Sequence, residues 1–215
     1  MPRGRVGAAV LWLAGLCLGF AGALRADEPQ VLVAYYSAKG HTRLLAEAVA
    51  EGARGVAGVD VELAEVAEID SADLIAAEAI ILGSPVYNGN VAPEVQTFIN
   101  GWPFRGAPMR DKIGAAFVTG GGISAGEEAA QLGILRSMLV FGMVVVGGAH
   151  WTSAFGASAI TEEEPFVAEA EQSEVVASRF LAKGRALGQR VAELTLKFGP
   201  SAEGLPPATK SPDDE

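Results

Sequence analysis

The chain has 215 residues, half of them hydrophobic and a fifth charged, which suits one globular domain and argues against a disordered or fibrous protein. Its 16 Lys and Arg stand against 26 Asp and Glu, a net charge of -10, so nucleic-acid binding through bulk electrostatics is disfavoured. The single cysteine, Cys17, cannot close an internal disulfide, no Cys/His spacing offers a metal site, and histidine chemistry is limited to His41 and His150.

The chain opens with Arg3 and Arg5, after which residues 6–24 carry no charge. Ala21-Gly22-Ala23 and Ala26 then offer small-residue cleavage positions. This pattern predicts a signal peptide over residues 1–26 and an exported, periplasmic or extracellular protein. An uncleaved membrane anchor is the alternative, since the run approaches spanning length. The small residues crowding its C-terminal end favour cleavage. Residues 199–215 hold four prolines and close on Asp213-Asp214-Glu215, which predicts a disordered tail. The globular domain is then residues 29–198.

Within it, strand-like and helix-like segments alternate. Residues 31–36 form a short apolar run of the kind a strand buried on both faces requires. A polar loop follows, then a helical stretch from Leu44 that ends near Gly52 or Gly55. Residues 59–63 alternate as a strand, 71–75 read as a short capped helical turn with Asp70 and Asp73 in turn and capping roles, and 79–83 form a third strand. A helix over 93–100, a fourth strand over 113–118, a helix over 127–141 and a fifth strand over 143–146 complete the alternation before a last helix within 168–197. Five such units predict an α/β fold, a doubly wound five-stranded parallel sheet with helices on both faces.

Ligands bind such sheets beyond the carboxyl ends of the strands, where the strand order reverses. Three loops leave those ends. The first, Ser37-Ala38-Lys39-Gly40-His41-Thr42, offers hydroxyls, a glycine and the free N–H groups of a helix start, the makings of a phosphate cradle. It matches neither a Walker A loop nor the Gly-x-Gly-x-x-Gly dinucleotide loop. Read alone, it is equally an N-cap with a turn glycine. The second loop, from Gly83 to Val91, contains Pro85, Val86, Tyr87, Asn88, Gly89 and Asn90. An aromatic side chain and two amides there can meet the face and polar edge of a planar heterocycle; an ordinary Asn-Gly turn is the bland alternative. The third, Thr119-Gly120-Gly121-Gly122-Ile123-Ser124, suits a backbone that hugs a ligand.

Together, Ser-x-x-Gly-His-Thr, Gly-Ser-Pro-Val-Tyr-x-Gly-Asn and the glycine-rich third loop resemble the flavodoxin-like FMN-binding proteins, above all the WrbA-type NAD(P)H:quinone oxidoreductases. The resemblance spans residues 30 to 197. It implies that Ser37, Lys39, Gly40, His41 and Thr42 hold the phosphate of FMN. It further implies that Pro85, Val86, Tyr87, Asn88, Gly89 and Asn90, with Thr119, Gly120, Gly121, Gly122 and Ser124, flank the ring and ribityl chain. Trp102 would then line the substrate side. Read from position alone, His150-Trp151 after the fifth strand either overhangs the flavin on that side or forms a packed strand-end pair. The sequence departs from that type at Val140-Phe141, where those proteins carry a histidine, and at Ala38-Lys39, where they carry a tyrosine.

The resemblance implies an FMN-dependent reductase that takes hydride from NADH or NADPH and passes two electrons to a quinone, with no catalytic side chain beyond the flavin. An exported flavodoxin-like electron carrier serving a redox protein partner is the alternative. Homo-oligomerisation and membrane proximity stay open. Glu162-Glu163-Glu164 reads as a solvated loop, and Met138 and Met143 as core filling.

Overall fold

A computed structural model describes residues 28–169 and 176–198. Residues 1–27, 170–175 and 199–215 lie outside the described residues, and with them the expected signal peptide over 1–26 and disordered tail over 199–215. The elements run β1 (Gln30–Tyr35), α1 (His41–Arg54), β2 (Asp60–Glu65), α2 (Ser71–Ala76), β3 (Ala79–Tyr87), β4 (Asn90–Val91), α3 (Pro93–Asn100), β5 (Ile113–Gly120), α4 (Glu127–Val140), β6 (Val144–Val145), β7 (Ala157–Ile160), α5 (Phe166–Glu169) and α6 (Ser178–Phe198).

The sheet is parallel in the order β2-β1-β3-β5-β6. The order reverses between β1 and β3, so that is where a doubly wound sheet opens its ligand crevice. The strands alternate between two cores. Val31, Val33, Ile81, Ala115 and Phe117 pack under α1 and α6, while Leu32, Ala34, Ile80, Leu82, Ala116 and Val118 pack under α2, α3 and α4. Burial on both faces explains why β1, β3 and β5 read as continuous apolar runs. Each fully buried Leu, Ile or Phe here contributes about 1.5–3 kcal/mol. Met138 and Met143 fill the second core, as expected.

Three features differ from the five-strand expectation. The fifth position is shared: β6 pairs with Ile113 and Gly114 at the start of β5, and β7 pairs with residues 117–120 at its end. The chain leaves the sheet edge between them, with a 3-10 turn at Trp151–Ser153, so no single long run announced the strand. β3 continues through Tyr87 and turns back into β4, making the second loop a hairpin. Its turn residues, Asn88 (φ 51°) and Gly89 (φ 77°), both adopt left-handed backbone, the requirement of a type I′ turn. The Asn-Gly turn and the ligand loop are therefore one object. Finally, α2 carries a reciprocal capping box. Asp70 accepts from the Ala72 and Asp73 amides while Asp73 accepts from the Asp70 amide, which gives both residues the capping roles expected of them.

Candidate functional site

At the carboxyl ends of β1, β3, β5 and β7 lies a cleft of about 210 Å³, lined by Ser37, Ala38, Lys39, His41, Thr42, Pro85, Val86, Tyr87, Thr119, Gly120, Gly121, Thr161 and Glu162. Residues from three predicted loops, from Ser37 to Gly121, are thus brought to one place by the parallel register.

The first wall is the turn into α1. Gly40 takes φ 88°, and a Cβ built there would meet no atom within 4 Å, so the backbone faces open space. The Ser37 hydroxyl oxygen accepts from the Gly40 amide at 3.1 Å, which holds the turn ready-made. The first helical bond runs from the Leu44 amide to the Gly40 carbonyl. The amides of His41, Thr42 and Arg43 therefore have no intrahelical acceptor and present the positive end of the helix dipole. His41 and Thr42 begin the helix instead of ending the loop. Thr42 is buried and its hydroxyl meets that of Thr119 at 2.8 Å, tying α1 to the end of β5. Two hydroxyls carry two protons, and their mutual bond uses one, so the pair keeps a donor for a ligand.

The second wall is the β3–β4 hairpin. Ser84, fully buried, donates to the Pro85 carbonyl at 2.7 Å and accepts from the Ala92 amide at 2.9 Å, locking the hairpin to the start of α3. Tyr87 is 38% exposed and stands at the mouth. Asn88 and Gly89 form the tip, where the Asn90 side-chain amide donates to the Asn88 carbonyl at 3.1 Å. Asn90 itself faces a separate groove between α3 and α4, of about 370 Å³.

The third wall is the glycine loop after β5. Gly126 has φ 103°, and a Cβ there would lie 2.5 Å from the Gly89 Cα, so loop and hairpin touch backbone to backbone. The Ser124 amide donates to Glu127 Oε1 at 3.1 Å, a carboxylate in the first turn of α4. Gly120 and Gly121 line the cleft, while Gly122 and Ser124 shape the loop behind it.

A fourth wall went unread in the sequence. The Thr161 amide donates to the Gly120 carbonyl at 3.0 Å and the Glu162 amide to that of Gly121 at 2.9 Å, extending the β7 ladder over the glycine loop. Glu163 accepts from the Ile123 amide at 2.6 Å, and Glu162 forms an ion pair with Lys39 at 2.8 Å. The acidic run is thus a strap across the cleft and not simply a solvated loop. Lys39 holds the Glu162 carboxyl below the usual carboxylate range, and Glu162 in turn raises the Lys39 ammonium. The available signal was residues 157–160, a short apolar run after Gly156 whose carboxyl end makes a fourth loop.

Trp102 is placed elsewhere. It is buried between Phe98 and Phe141, with ring centroids 5.9 and 5.2 Å away, beside the amino end of β5. α3 leaves the cleft and runs back along the sheet, carrying the residue that follows it to the opposite pole. His150 and Trp151 sit on the segment between β6 and β7 at the sheet edge and do not line the cleft; Trp151 is 80% exposed and the His150 ring nitrogen Nδ1 lies 3.1 Å from the Thr152 hydroxyl. The aromatic at the cleft mouth is Tyr87.

A second concavity, of about 440 Å³, lies beside α3 with Tyr36, Glu65 and Glu94 in its lining. The Glu94 carboxylate, hydrogen-bonded to the Tyr36 phenol, pushes the pKa of that phenol up. Although larger, this groove lacks the converging amides and hydroxyls of the cleft.

The family described as NADPH-dependent FMN reductase matches residues 70–158. A protein of Methylocella silvestris named NAD(P)H dehydrogenase (quinone) is 33% identical over 197 residues, covering 79% of this chain and 98% of its own. A protein of Aquifex aeolicus named flavodoxin is 32% identical, covering 79% of this chain and 88% of its own. Among solved structures, a flavodoxin, WrbA-like protein from Agrobacterium tumefaciens superposes with a TM-score of 0.62 at 24% identity, covering 79% of this chain and 99% of that one, which supports the fold. The chain belongs to the flavodoxin-like family of NAD(P)H dehydrogenases (quinone).

Proposed function

We propose that the protein is an FMN-dependent NAD(P)H:quinone oxidoreductase. The observation that carries this is the convergence of a preformed anion cradle, Ser37 to Thr42, with an aromatic-tipped hairpin and a glycine loop at the β1/β3 crevice. These residues fit FMN: the unencumbered Gly40 backbone, the α1 amides and the Thr42–Thr119 hydroxyls suit its phosphate. Tyr87 and the bare backbone of Gly120 and Gly121 suit a flat ring. FMN, when bound, supplies the electron chemistry, and no side chain is needed as nucleophile. The chain's own work is to hold and orient the ring, shield it, and leave room for a nicotinamide and then a quinone to lie face-on to it.

The relative named flavodoxin keeps a second reading in view, an electron carrier without its own small-molecule substrate. FMN-loaded protein is expected to oxidise NADH or NADPH in the presence of benzoquinone, with Tyr87→Ala impairing turnover more than His41→Ala. A flavin-replete protein that accepts electrons from dithionite yet reduces no quinone with either nucleotide would establish the carrier instead.

Export is part of the same proposal, supported by Arg3, Arg5 and the uncharged residues 6–24. Intact mass of protein from an exporting host should show a start at Leu24 or Asp27. Retention of residues 1–26 in a membrane fraction would make the segment an anchor.

A further inference from the structure

We propose that the amino-terminal pole of the sheet docks on an anionic membrane surface, through Phe104, Leu139, Val140 and Val144 ringed by Arg105, Arg110 and Arg136. The sequence already separates this region. Residues 95–110 and 129–161 contain three arginines and no acidic residue, in a chain whose net charge is -10. The fold then brings those two segments together. The Phe104 and Phe141 rings lie 5.7 Å apart, the Asp111 amide donates to the Gly142 carbonyl at 3.0 Å, and a Cβ on Gly142 would pack against Arg110 at 3.6 Å. Val144 continues the patch in register with Ile113.

The four apolar side chains are far more exposed than a core or an ordinary surface requires: 65% for Phe104, 56% for Leu139, 69% for Val140 and 46% for Val144. α4 is apolar on its outward side near its end as well as on its buried side, and there the arginines replace acids as its polar company. Apolar side chains that can enter the headgroup boundary, beside guanidiniums that stay with phosphates, are the makings of an interfacial contact. Two acids border it: Asp111 at the junction of the two segments and Glu78, whose carbonyl accepts from the Ile113 amide at 3.0 Å, and the three arginines outnumber them.

The occupant follows from charge. A second copy docked about a two-fold axis would set the same arginines near one another. An anionic bilayer meets all three with opposite charge. Among the described residues no helix is long and apolar enough to cross a membrane, so the contact is with the surface. The eight residues of β5 separate patch from cleft by roughly 25 Å, leaving the cleft open to water.

The test is hydrogen exchange on the full chain with phosphatidylcholine vesicles, with and without phosphatidylglycerol. Slower exchange over residues 101–110 and 139–145 is expected only on the anionic vesicles, lessened by salt, with residues 37–42 unchanged. Because the leader is present in every arm, protection that is equal on neutral vesicles would overturn the proposal. The Arg105→Gln/Arg110→Gln/Arg136→Gln variant should lose roughly a hundredfold in patch-dependent partitioning. Phe104→Ser, at an exposed site, tests the apolar part without touching the charges. Protection that appears without vesicles, rises with protein concentration and is lost in Val140→Asp would identify a second copy as the occupant and refute the membrane. Absence of protection in all arms would refute it equally.

Discussion

The hydroxyl pair between Thr42 and Thr119 allows structural and binding roles to be separated in one experiment. Both residues are buried, at 2% and 4% exposure, and their oxygens are 2.8 Å apart. Thr42→Val keeps the shape but leaves the Thr119 hydroxyl without its partner, which should cost about 1–3 kcal/mol of stability. Replacing both by Val removes donor and acceptor together and should be close to neutral, so the double variant recovers most of the loss. FMN affinity should behave differently. One charge-assisted bond to a phosphate contributes about 1.5–3 kcal/mol, so the single and the double variant should each bind FMN roughly 10- to 100-fold more weakly. Urea unfolding gives the first quantity and quenching of flavin fluorescence the second. A double variant whose stability loss equals the sum of the single losses would refute the pairing. One that binds FMN like the unaltered protein would refute the cradle.

Gly126→Ala places a Cβ 2.5 Å from the Gly89 Cα at φ 103°, and should cost more than about 2 kcal/mol by thermal unfolding while separating hairpin from loop; an unchanged melting profile would contradict the backbone contact. The Lys39–Glu162 pair predicts a pH effect with a definite sign. The folded pKa of Glu162 is depressed below 4.5, so its contribution is fully present above that value and is lost as pH falls through the folded pKa. Faster exchange at residues 161–163 is expected in that acid range, and Lys39→Met should remove the dependence. The Lys112 ammonium donates to the Ile75 carbonyl at 2.7 Å and to that of Ala77, closing the end of α2. Lys112→Met should cost about 2 kcal/mol in urea unfolding, and a neutral result would show that water replaces the cap.

Much of the fold and half of the site could be read from residue order. Period and composition determine where strands buried on both faces must run, because an interior strand favours apolar side chains on both sides and admits a polar one only where it is hydrogen-bonded. Glycine and hydroxyl placement determine which turns can bring bare backbone to a ligand, so Ser37 to Thr42, Pro85 to Tyr87 and Thr119 to Gly121 were identifiable as local chemistry. The Asp70–Asp73 capping box is likewise local, closed within four residues. What tertiary structure alone decided is long-range. Thr42 meets Thr119 across 77 positions and Lys39 meets Glu162 across 123, and nothing in either short segment encodes the other. The resemblance implied Trp102 as a pocket wall, yet the direction of α3 carries it to the far pole and into the core. The fifth strand was legible at residues 143–146, where β6 runs, but β7, which shares β5 with it, is too short to have a period of its own. Periodicity reports which face of a segment is buried, whereas only packing determines which segments share a face, and the candidate site is made where four of them end.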